Sequence, residues 1–175
     1  MKNITLADIL KDLLFGKVEN DQFLIHEILS RFESNMQTKN KITLSPLLID
    51  RHFKIFLTDL NLEVTMHPLP KTLFTLYLLH PEGIPFKELY LYKHELLNIY
   101  HNVTNKYNKL EIERAINDLI DMTKPSINQK STRIRQAFRL HLNEETAFFY
   151  YPIGPKNQPK RIHLPQSLIT IQAAI

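Results

Sequence analysis

Residues Pro125 to Phe138 read PSINQKSTRIRQAF, and Arg139 follows. Proline at a first helical position already has helical φ and gives up only an N–H that would lack an intrahelical partner, so the stretch predicts a helix over residues 125–140. At 3.6 residues per turn Ile127, Ser131, Ile134 and Phe138 share one side, with Ala137 beside them, and that side is expected to face a core. Asn128, Gln129, Thr132, Arg135, Gln136 and Arg139 point outward, and Lys130 and Arg133 lie at the flank. Such a face fits two readings. Arg, Lys and Gln fill exposed helix positions because they propagate helices and keep a protein in solution. The same residues suit a recognition helix, where Arg and Lys meet phosphates and guanine edges and Asn or Gln meets adenine.

The charge of the whole chain bears on the choice. The net charge is +4, but residues 1–100 hold 11 Lys and Arg against 12 Asp and Glu, whereas residues 101–175 hold 11 against 6. From Pro125 onward Lys130, Arg133, Arg135, Arg139, Lys156, Lys160 and Arg161 face only Glu144 and Glu145. An excess of positive charge at one end points to an anionic partner, and nucleic acid is the commonest.

With 175 residues, 43% of them hydrophobic and 23% charged, the chain can build a core without staples. It has no cysteine, which excludes disulfides and thiolate metal sites and fits a cytoplasmic location. The start, MKNITLADILKDLLFGK, breaks its apolar residues with Asp8, Lys11 and Asp12, unlike a signal peptide, and no run is long enough to span a bilayer. No membrane partner is expected.

Residues 1–40 are read as a helical N-terminal extension and a dimerisation element. Ile9, Leu10, Leu13 and Leu14 make one apolar stripe, and Phe23, Leu24, Ile28, Leu29 and Phe32 a second. SNMQTKNK is the linker to a domain over residues 41–175. There the short runs HFKIFLT and LEVTM, joined by Asp59, Leu60 and Asn61, predict a β-hairpin. Helices are expected over Pro68 to Leu79, Pro85 to Tyr100 and Lys109 to Met122, the first stopped by His80, Pro81 and Gly83. After the basic helix, apolar runs on either side of Gly154 to Pro159 predict a terminal hairpin over residues 148–164.

A basic penultimate helix followed by a hairpin is the layout of a winged helix. Residues 54–165 resemble the OmpR/PhoB-type effector domain of response regulators. The run LPKTLFTLYLLHPEGIPFKELY (Leu69 to Tyr90) is similar to that family's leucine-rich helix, break and charged helix start. Thr132, Arg133, Ile134, Arg135, Gln136, Ala137 and Phe138 match its Arg-apolar-Arg recognition run in type and spacing, and Tyr151 to Leu164 resembles its wing. The chain departs from the pattern in its longer second helix, in the added helix Lys109 to Met122, in lacking a Trp-Gly at the end of the second family helix, and in having no receiver domain. The resemblance implies a helix in the major groove, with Lys130, Arg133 and Arg135 at phosphates and base edges, and a wing whose Lys156, Lys160 and Arg161 reach the adjacent backbone or minor groove.

No catalytic pattern appears, and neither a cofactor nor a metal is expected. His94 and His101 lack the i, i+4 spacing of a zincin helix, Gly16, Gly83 and Gly154 are too far apart to cradle a phosphate, and the acidic Glu111, Glu113 and Asp118 share a helix with Lys109 and Arg114. Phe148, Phe149, Tyr150 and Tyr151 are read as a strand with at least two rings in the core; stacking on single-stranded bases is the weaker alternative.

The sequence thus predicts a mainly α protein with small β-hairpins (α+β), a winged helix-turn-helix with a helical N-terminal extension. Its expected role is non-enzymatic: a transcriptional regulator, dimeric, binding double-stranded DNA through Lys130, Thr132, Arg133, Arg135, Gln136, Arg139, Lys156, Lys160 and Arg161. The alternative is a winged-helix interaction module for an acidic protein partner.

Overall fold

A computed structural model describes residues 42–104 and 108–174. The expected N-terminal helices and their role in dimerisation lie outside the described residues. Within them the chain is α+β, with five α-helices and one four-stranded sheet.

The sheet comprises β1 (Leu47–Ile49), β2 (Ile55–Leu57), β3 (Leu62–Val64) and β4 (Ile169–Ile171), in the order β3-β2-β1-β4. Alternation decides its inner face: Leu47, Ile49, Ile55, Leu57 and Val64 are buried, while Leu48 and Phe56 between them are half-buried on the other side. The Asp50 carboxylate closes the β1–β2 turn by accepting from the backbone N–H groups of His52 and Lys54, both at 2.8 Å. β2 and β3 form the expected hairpin, turning at Asn61 with φ of 47°, a left-handed conformation that asparagine tolerates. β4 was not expected. It pairs parallel with β1, so the sheet is mixed and is not made of hairpins alone.

α1 (Pro68–Leu79) is the central helix, buried from Thr72 to Leu78 rather than along one stripe. Thr72 and Thr75 tolerate this because their hydroxyls donate to the carbonyls of Pro68 and Lys71 one turn back. The expected second helix is divided: Phe86–Tyr92 is a 3-10 helix and α2 (Lys93–Val103) follows it. α3 (Lys109–Ile120) starts at Asn108, whose side chain caps the N–H of Leu110 at 3.0 Å. α4 (Ser126–Arg139) begins one residue later than predicted, with Pro125 as its N-cap. α5 (Glu144–Ala147) is a single turn capped by Asn143.

The terminal hairpin is corrected most. Phe148–Tyr150 is a 3-10 helix rather than a strand, and all four aromatic residues of the run are buried. What pairs instead is minimal: Ile153 bridges Arg161, and Ile84, between α1 and α2, bridges Lys160. The run serves the core. Phe138 of α4 lies between Phe74 of α1, at 5.3 Å between ring centroids, and Tyr150, at 5.5 Å, and the Tyr150 hydroxyl donates to the Ser45 carbonyl at 2.8 Å. Among the described residues no helix is long and apolar enough to cross a membrane.

Candidate nucleic-acid interface

The packing of α4 fixes what it presents. Ile127, Ile134, Ala137 and Phe138 are buried as the periodicity requires, so Asn128, Gln129, Arg133, Arg135, Gln136 and Arg139 are exposed, and Lys130 and Thr132 half-buried. Among the described residues the side chains of Lys130, Arg133 and Arg135 form neither ion pair nor hydrogen bond. Arg139 differs: its Nη2 donates to Glu144 Oε2 at 3.0 Å.

The two flanks of the helix have different neighbours. Arg133, Gln136 and Leu140 form one wall of an open groove of about 580 Å³, and Thr65, Met66 and His67 of the β3–α1 turn contribute to the other. On the opposite flank Arg135 and Arg139 act on Tyr151. Burial pushes that phenol's pKa up, and the two guanidinium charges partly offset the rise.

The closing loop uses its charges unevenly. Lys156 is exposed at the tip, where Asn157 turns the chain with φ of 62°. Lys160 points back into the protein: its ammonium donates to the carbonyls of Gly154 and Pro155, the latter at 2.7 Å, and lies 5.8 Å from the centroid of the Phe86 ring. Arg161 is half-buried, its backbone paired with Ile153. The structure thus brings Lys130, Thr132, Arg133, Arg135, Gln136 and Arg139 together on one helix, keeps Lys156 exposed on the loop, and turns Lys160 to a structural contact.

Two histidines carry features that sequence reasoning missed. His80, at the end of α1, meets Glu82 Oε1 through Nδ1 at 3.0 Å and both Glu95 oxygens through Nε2 at 3.0 and 3.1 Å. A neutral imidazole has one N–H, so two carboxylate-facing nitrogens favour the doubly protonated ring. Burial lowers its pKa, but the bonds to Glu95 and Glu82 outweigh that and hold it above the ordinary value. His163 is the converse. It is 8% exposed, stacks on Phe148 at 5.7 Å, leaves Nε2 without a hydrogen-bond partner among the described residues, and burial followed by the Arg161 charge lowers its pKa to about 4. No spacing in the sequence marks either. His94 and His101 are exposed, and among the described residues no three His, Cys, Asp or Glu side chains are grouped to hold a metal ion.

Comparison of the chain with protein-family models, with curated proteins and with solved structures finds no match.

Proposed function

We propose that the chain is a winged-helix protein that binds double-stranded DNA with α4 in the major groove and acts in transcriptional regulation. The observation that carries the reading is the uncompensated cationic face of α4, where Lys130, Arg133 and Arg135 have no ion-pair partner among the described residues. Charges left unpaired on a regular surface are available to phosphates, and the counterions that duplex DNA releases on contact supply much of the affinity.

The winged arrangement draws support from the order of the bridges. Ile84 lies beside Lys160, whose neighbour Arg161 lies beside Ile153, so the second arm of the closing loop runs between its first arm and a segment that joins α1 to α2. Fluorescence anisotropy of a labelled mixed-sequence duplex, titrated with the full chain at several salt concentrations, tests the reading. Three to five phosphate contacts give a slope of about −2.7 to −4.5 in log affinity against log salt; no binding at low salt contradicts it.

One observation favours a second reading. Leu140 is 80% exposed beside the groove that Arg133 lines, a pairing that suits an acidic protein partner with an apolar anchor. Failure of duplex binding at low salt shifts the function to that class.

A further inference from the structure

Resting on the DNA reading of α4, we infer that Gln129, Thr132 and Gln136 form its base-reading line and that its target carries A·T pairs in the major groove, the arginines holding phosphates on either side. The three residues are three and four positions apart, so they share one side of the helix. That side is opposite the buried Ile127, Ile134 and Phe138. Arg133 and Arg135 sit off the line, and Arg139 continues it at its C-terminal end. Arg133 faces the groove beside the β3–α1 turn, whereas Arg135 and Arg139 lie toward Tyr151 and Glu144.

A helix seated by this line meets the base edges with two exposed amides and the half-buried Thr132 hydroxyl, and the guanidinium groups of Arg133 and Arg135 diverge toward the two sugar-phosphate walls. The chemistry selects the base. A glutamine amide offers a donor and an acceptor side by side, matching N7 and the N6 amino group of adenine, and a threonine methyl packs on the thymine C5-methyl. Guanine is read best by Arg or Lys; on this side that is Arg139, three positions past Gln136, and its guanidinium is paired with Glu144.

The test is selection of binding sites from a randomised duplex pool by the full chain, followed by anisotropy on the selected duplex with Q129A/Q136A and R133A variants. The expected site contains A·T pairs. Q129A/Q136A should weaken binding to it about five- to hundredfold per lost base contact while leaving the salt slope unchanged, and R133A should keep the preference while reducing the slope by about 0.9. Replacing the site's adenines with 7-deazaadenine, which removes N7 from the major groove alone, should reproduce the Q129A/Q136A loss. A selected site without A·T pairs, a preference that survives Q129A/Q136A, or indifference to 7-deazaadenine overturns the inference while leaving DNA binding intact. Binding to no duplex overturns the reading beneath it as well.

Discussion

On α4, Lys130, Arg133 and Arg135 have no ion-pair or hydrogen-bond partner for their side chains among the described residues, whereas in the loop between Ile153 and Arg161 the Lys160 ammonium is bound to the carbonyls of Gly154 and Pro155. The backbone beneath each explains the difference. A helix consumes its own carbonyls in the i to i−4 ladder, so a cation on its outer face finds no uncommitted backbone carbonyl within reach. An irregular turn leaves carbonyls to be satisfied from elsewhere, and a nearby lysine with three donors and a flexible stem does so. Equal charge in the sequence is therefore unequal charge at the surface.

The comparison breaks most readily at Gly83. This residue has φ of 88°, and a Cβ there would stand 2.7 Å from the carbonyl oxygen of Lys160, the partner that joins the loop to Ile84. Gly83→Ala should cost about 3 kcal/mol of unfolding free energy in urea, from backbone strain and the displaced bridge. A loss below about 1 kcal/mol would mean that the bridge does not hold the loop.

Protonation of His163, beneath the same loop, is next. Its folded pKa of about 4 lies below the unfolded 6.5, so the folded state binds fewer protons. Its contribution is present above pH 6.5 and declines as the pH falls toward 4, by about 3 kcal/mol at the lower end. His163→Phe should flatten the acid limb of stability against pH. His80 works in the opposite sense: its raised folded pKa gives stability that is present below 6.5 and lost as the pH rises through the folded value. His80→Gln should therefore remove a decline on the alkaline side, read in the same urea series.

Smaller effects separate the two lysines of the loop. Lys160→Ala should lower stability by about 1–2 kcal/mol through its lost carbonyl bonds, whereas Lys156→Ala leaves stability unchanged and reduces the salt slope of DNA binding by about 0.9. The smallest effect is at Glu144, which pairs with Arg139 and on the DNA reading would compete with phosphate for it. Glu144→Gln should raise duplex affinity about two- to fivefold, the worth of an exposed ion pair; unchanged affinity would place Arg139 outside the interface.

How much of this was legible in the sequence follows from whether an interaction is local. The inward set of α4 and the turn at Asn61 depend on neighbours a few residues away, and helical periodicity and turn chemistry expose both. The pairing of β4 with β1 joins Ile169 to Leu47 through three-residue strands, too short for alternation to register. The run Phe148 to Tyr151 reads as a strand by propensity, but packing against Phe138 and the Tyr150 bond to Ser45 favour a helical turn. At the candidate interface the outward cations of α4 were legible. The inward turn of Lys160 was not, because it depends on carbonyls whose direction only the folded loop sets.

The central claim is that the cations of α4 are the phosphate-reading surface. Its most direct test is the salt dependence of duplex binding by the full chain and by its Lys130→Ala, Arg133→Ala, Arg135→Ala triple variant, with unfolding curves run alongside. The account predicts equal stability and a slope reduced by about 2.7 for three lost phosphate contacts. An unchanged slope in a folded variant would contradict it.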